Sequence, residues 1–219
     1  MEPFRPTRGG GARAWLAPAE ASLLRNLVGQ VMMLIAPDEP QAPRGEQSWA
    51  DLDADLEAMI EAPKISDDPV LARLLPDGYR DDPEAAGEFR RYTESSLRSA
   101  KQQAAQEMLD TLPDEGGQIQ LNHDQAHAWL KALNDVRLAL GVRLNVTEEF
   151  DEQWGQLQRE DPQWAAYEVY AWLGAVQESL VQALALAGAA GLSGRCAGLS
   201  GRCASLSPCS KYPATCTTR

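Results

Sequence analysis

Apolar residues return every three to five positions along four long stretches of this chain, and proline- and glycine-rich breaks separate the stretches. That period keeps an apolar set on one side of an α-helix and would scatter it over both faces of a strand. The first stretch carries Leu23, Leu24, Leu27, Val28, Val31, Met32 and Ile35, with Pro18 early and Pro37 at the stop. Its apolar residues exceed one narrow stripe, which predicts a central helix. The longest runs from about Pro83 to Leu112 and sets Phe89, Tyr92, Leu97, Ala100, Ala104, Met108 and Leu112 on one buried stripe. A third, ending at Leu144, carries Ala126, Trp129, Leu133, Val136 and Leu140, and the last carries Val169, Leu173, Val176, Leu180 and Leu184.

Capping residues place the boundaries. Asp67 or Asp68 before Pro69 opens a short helix to Leu75, and Pro76–Asp77–Gly78 is a turn. Asp81 or Asp82 caps the long helix, Glu84 complements its positive end, and Glu94 with Arg98 forms an outward i,i+4 pair. Asn122 with Gln125 reads as a capping box. Thr147 with Glu148 and Glu149 opens another helix, and Asp161–Pro162 opens the last, in which Gly174 implies close approach of a neighbouring backbone. Asp51–Ile60 reads as a short acidic helix after a loop over Asp38–Gln47. Gly9–Gly10–Gly11 between Phe4–Arg8 and Ala12–Leu16 favours a β-hairpin over a free arm, and Ile119–Leu121 is a short strand suited to its edge. The expected fold is mainly α: a bundle of about six to seven helices with a small N-terminal hairpin. One domain spans 1–188, with the hairpin at 4–16 and helices from 18 to 187. A disordered Gly/Ser/Cys-rich tail spans 189–219.

Charge narrows the partners. All 32 acidic residues precede residue 179, whereas four of the 20 basic ones, Arg195, Arg202, Lys211 and Arg219, lie in the tail. Residues 1–190 therefore hold 16 basic and 32 acidic groups, a balance of −16. Such a body repels phosphate backbones, and only short basic patches interrupt it, Arg5–Arg8–Arg13 and Arg90–Arg91. DNA contact by the chain alone is expected to be weak. No apolar run is long enough to cross a bilayer and the first residues lack a signal peptide's apolar middle, so the expected location is the cytoplasm.

No motif carries chemistry that outweighs a structural reading. His123 and His127 share a helix face at i,i+4 and are a weak metal candidate. Asp124 stands where a zinc-protease helix has glutamate, no third ligand is identifiable, and solvent competes at a helix start. The pair is read as two exposed residues, with no metal and no cofactor assigned. Cys196, Cys203, Cys209 and Cys216 are redox candidates in the tail, spaced neither as zinc pairs nor as a thioredoxin-type pair. They lie in and beyond a heptapeptide, GLSGRCA, that occurs twice in tandem, the mark of a recent duplication or a shifted reading frame. Asn134, Asp135, Arg137 and Arg143 lie on an otherwise apolar helix, so Asn134 and Arg137 are expected to pair with carboxylates of other helices. These four, with Arg80, Arg90 and Arg91, are the polar-network or interaction candidates; Arg90 and Arg91 are read as a solvated face. There is no phosphate-binding loop or dinucleotide fingerprint, and no catalytic residue is assigned.

Two dense segments, Asp67–Arg98 (DDPVLARLLPDGYRDDPEAAGEFRRYTESSLR) and Trp129–Glu149 (WLKALNDVRLALGVRLNVTEE), resemble the actinobacterial family known as domain of unknown function 2017. The opening FRPTRGGGARAWLAPAEASLLRNLVGQ and the late YAWLGAVQESLV extend the resemblance from about Phe4 to Leu186. Characterised members are oxidative-stress transcriptional regulators of actinomycetes (the AosR type). The resemblance implies a cytoplasmic, non-enzymatic regulator with a redox-linked effect on transcription, acting through protein contacts with the transcription machinery. An adaptor or scaffold for protease-mediated protein turnover is the alternative. Either role suits a monomer or a dimer. The chain departs from the family at one point: sensing there rests on a C-x-x-x-C pair, and residues 1–190 contain no cysteine.

Overall fold

The glycine run folds as expected. In the computed structural model, which describes residues 1–36, 67–79, 81–161 and 163–199, strands β1 (Glu2–Pro6) and β2 (Ala12–Leu16) form an antiparallel hairpin. Gly9 and Gly10 turn it at φ +98° and +89°, values open to glycine and strained for other residues. Gly11 is required for space: a Cβ there would lie 2.1 Å from the Leu121 carbonyl oxygen. Strand β3 (Gly117–Leu121) pairs antiparallel with β2, from Ala12 opposite Leu121 to Leu16 opposite Gly117, giving the order β1-β2-β3. Period-2 alternation buries Ala12, Ala14, Leu16, Ile119 and Leu121 and turns Arg13, Trp15, Gln118 and Gln120 outward. In β1 a bulge falls between Glu2 and Arg5, where the Phe4 N–H donates to Ser179 Oγ at 3.3 Å and Phe4 turns inward.

Six helices follow among the described residues: α1 (Pro18–Leu34), α2 (Pro69–Leu74), α3 (Pro83–Thr111), α4 (His123–Arg143), α5 (Phe150–Gln156) and α6 (Trp164–Leu199). The starts of α2, α3 and α4 obey the capping rules. Asp68 Oδ1 accepts from Val70 N, Asp82 Oδ1 from Glu84 N and Ala85 N, and Asn122 and Gln125 exchange reciprocal bonds at 2.8 and 3.0 Å. Thr147 Oγ1 accepts from Glu149 N just before α5, and Asp161 Oδ1 accepts from Gln163 N just before α6.

The central element is α4 rather than α1. It packs against α1, α2, α3 and α6 and touches β3, whereas α1 reaches only α3 and α4 among the larger helix contacts. At the centre, Trp129 is fully buried, its Nε1–H donating to Thr111 Oγ1 at 2.7 Å, and Phe4 meets its ring edge-on at 5.8 Å. Helix α6 closes the other side, against β1, β2 and α4, through Leu173, Val176, Leu180 and Ala183.

Only the second half of the α3 stripe is core. Ala104, Met108 and Leu112 are buried, but Ala100 is exposed and Phe89, Tyr92 and Leu97 are 44%, 67% and 38% exposed. Length accounts for Phe89 and Tyr92: helix α3 has 29 residues and α4 has 21, about 43 Å against about 31 Å, so the start of an antiparallel α3 outruns its partner. Leu97 and Ala100 flank Lys101, which reaches Asp135 of α4, and are exposed although α4 runs beside them. Arg98 is not purely outward: it pairs with Glu94 and also donates from Nη1 to the Ile35 and Ala36 carbonyls, capping the end of α1. Helix α6 continues to Leu199, overlapping the first residues of the stretch read as a tail. Asp38–Gln47, Asp51–Ile60, Arg80 and residues 200–219 lie outside the described residues.

Candidate functional site

The polar candidates of α4 do not converge on one site. Asn134 is exposed and joins no network among the described residues. Asp135 is the buried one, and its carboxylate receives Lys101 Nζ of α3 at 2.5 Å. Burial pushes the Asp135 carboxyl above its ordinary value, against the hydrogen bond and charge of Lys101, which pull it down. Arg137 finds an amide rather than the expected carboxylate: its Nη1 donates to Gln177 Oε1 at 2.8 Å, and its guanidinium lies 5.3 Å from the Tyr170 ring centroid. Gly174 lies beside the same guanidinium at ordinary contact distance: a Cβ there would lie 3.6 Å from Arg137 Nη2, so the expected close approach of a neighbouring backbone is not found. Arg143 Nη1 donates to Gln30 Oε1 at 3.3 Å near the far end of α4.

A carboxyl of raised pKa is a catalytic candidate when it faces a cleft. The groove of about 460 Å³ beside the α3–α4 seam is lined by Gln103, Glu107, Gln125, His127 and Lys131 among others, but not by Asp135. The Lys101–Asp135 pair therefore reads as a device that fixes how α3 lies on α4. Sequence analysis missed Lys101, although a signal was there. It stands four residues after Leu97 and three before Ala104, on the apolar stripe, where an unpaired ammonium would not be tolerated.

His123 and His127 are both exposed, with Nε2 atoms 3.2 Å apart. Asp124 Oδ1 lies 3.3 Å from His123 Nδ1. Two such nitrogens could share a proton or grip one tetrahedral ion. Among the described residues, no third His, Cys, Asp or Glu completes a metal-holding group. Of the cysteines, Cys196 falls within the span of α6, and Cys203, Cys209 and Cys216 lie outside the described residues. The pair Arg90 and Arg91 divides. Arg90 is largely covered and ion-paired to Asp77, with Glu94 at 3.8 Å, so it is not a solvated residue. Arg91 is exposed beside Tyr92, its Cζ 5.0 Å from that ring centroid.

The family model described as a domain of unknown function, DUF2017, matches residues 1–184. The chain belongs to this family. Proteins named oxidative stress regulator AosR, from Mycobacterium bovis and Mycobacterium tuberculosis H37Rv, are 38% identical to it over 185 residues, covering 78% of this chain and 81% of theirs. A Mycobacterium leprae relative is 35% identical over 185 residues, 78% of this chain and 82% of its own. No solved structure matches the chain significantly. These relatives carry the name of regulators and not of enzymes. No helix among the described residues is long and apolar enough to cross a membrane.

Proposed function

We propose that this member of the family is a cytoplasmic, non-enzymatic regulator of the oxidative stress response that works through protein contacts with the transcription machinery. The observation that carries the reading is the 38% identity to named oxidative stress regulators across 185 residues, beside a family match over residues 1–184 that takes in hairpin and bundle alike. Charge supports the mode of action: a body at −16 suits docking on a basic protein surface better than gripping DNA. Because the first cysteine of the chain is Cys196, the family domain up to residue 184 has no thiol with which to sense peroxide. This member is therefore read as one without cysteine-based sensing.

The test is co-purification of the tagged full chain from its own host, with and without peroxide, beside a variant in which all four cysteines are serine. Polymerase or sigma-factor subunits recovered equally in every condition are the expected result. Recovery of protease components in their place would replace this reading with the adaptor one. Recovery that depends on peroxide in the natural chain and not in the serine variant would return the sensing role to the C-terminal cysteines.

A further inference from the structure

The outer face of the sheet holds a basic island that nothing in the fold requires. Arg5 and Arg13 are cross-strand partners, and Trp15, two residues along β2, faces Gln118 on one side and Glu2 on the other. Both arginines are exposed, and among the described residues neither forms an ion pair. Like charges directly opposite on a sheet destabilise it. Glu2, the acid of this face, sits opposite Trp15 rather than between the arginines. Trp15 is 46% exposed, far more than packing would dictate for so large a ring. Beside the β1 bulge lies a concavity of about 370 Å³, lined by Glu2, Pro3, Arg5, Arg13, Trp15 and Gln118 among others.

We propose that this face docks an acidic peptide segment of a protein partner, its carboxylates on Arg5 and Arg13 and an apolar or aromatic side chain on Trp15. The inference rests on the regulatory reading above only in taking the partner to be a protein. Charge complementarity selects the ligand: a positive island on a body of −16 accepts a local anion and fixes the register of a larger docking surface. Guanidinium forks match carboxylates two bonds at a time, and exposed tryptophan beside arginine is the composition of an interface anchor. The segment lies across the face instead of extending the sheet at β1. Pro3 and Pro6 have no N–H to offer there, and the Phe4 N–H is bound to Ser179. A nucleic-acid strand fits less well. The face presents a single aromatic ring where such platforms stack two or three bases.

The test is a two-dimensional amide and indole NMR titration of the full chain with a short peptide alternating aspartate and tyrosine, and separately with a short oligothymidine. The expected result is saturable shifts at Arg5, Arg13 and the Trp15 indole. Arg13→Gln and Trp15→Ala should each weaken binding about tenfold, the loss of one charge-assisted contact or one anchor, while Ile119 and Leu121 amides keep their positions. Shifts elsewhere on the surface, unchanged affinity in both variants, or tighter binding of oligothymidine at the same amides would overturn the proposal. The double variant is then carried through the co-purification above. Partners lost with it support the face. Partners retained without peptide binding refute the face and leave the regulatory reading standing, whereas peptide binding by a natural chain that recovers no transcription subunit supports the face and refutes that reading.

Discussion

Replacing Lys101 by methionine tests the α3–α4 seam most sharply. The stem of the side chain is conserved in volume, so what is removed is the ammonium 2.5 Å from Asp135. Asp135 keeps a carboxyl only 6% exposed at the side chain, while Lys101 is 16% exposed. Removing one member of a buried pair is worth roughly 3–5 kcal/mol, and the partial access of Lys101 places this case near 3 kcal/mol. For a chain of this size that is a fall in Tm of about 6–12 °C. The dependence on pH is the diagnostic. Burial already raises the Asp135 carboxyl above its ordinary value, and the lysine's hydrogen bond and charge oppose that rise. A carboxyl with a raised native pKa binds its proton more tightly in the folded state. It therefore favours folding below its unfolded value, and that contribution is lost as pH rises through the folded value. Without Lys101 both opposing influences vanish, the folded value climbs further, and the deficit at neutral pH grows. Urea unfolding monitored by circular dichroism between about pH 8 and about pH 5 should show the deficit of Lys101→Met shrinking as the solution is acidified. Lys101→Met combined with Asp135→Leu should recover most of the loss. A deficit below about 1 kcal/mol, or one independent of pH, would refute the assignment of a buried pair.

Other outcomes are equally specific. Gly11→Ala should prevent the hairpin from closing on β3, since a Cβ 2.1 Å from the Leu121 oxygen has only backbone to displace; loss of protected β2 amides in hydrogen exchange would show it. Thr111→Val leaves the buried Trp129 indole N–H without its acceptor and should lower stability by about 1–3 kcal/mol, against little change for Thr93→Val, whose hydroxyl donates to the Phe89 carbonyl of its own helix. Asn122→Ala removes half of a capping box and should destabilise by about 1 kcal/mol, read as a lower urea midpoint with an unchanged slope. Arg13→Gln, by relieving the cross-strand repulsion with Arg5, should raise stability by a few tenths of a kcal/mol, so a clear fall in Tm would argue that the pair is held by contacts other than those described.

What sequence alone revealed was mostly local. Caps at Asp68, Asp82 and Asn122, the glycine reversal at the hairpin and the third strand all follow from rules that operate within a few residues. On α3, Phe89 and Tyr92 share the periodic face yet lie exposed, because periodicity reports which residues share a face and not how far a neighbouring helix extends along it. Lys101 and Gln177 escaped for a different reason. They meet Asp135 and Arg137 across 34 and 40 residues, and the expected partner of Arg137, a carboxylate, was chosen from charge where geometry supplied an amide and a ring. The basic cluster Arg5–Arg8–Arg13 was visible as composition, but its meaning depended on a strand register and a bulge that no composition states.

The bond from Phe4 to Ser179 joins groups 175 residues apart. The ribosome adds about 5–20 residues each second, so the strand made first waits on the order of 10–35 s for the helix that receives it. Hairpin and β3 can pair once residue 121 has emerged, but the inner face of β1 stays wet until α6 is complete. Shortening α6 should therefore act first on the opposite end of the polypeptide, where Phe4 would lose its cover. A nascent chain stalled before Ser179 should present that phenylalanine to chaperones.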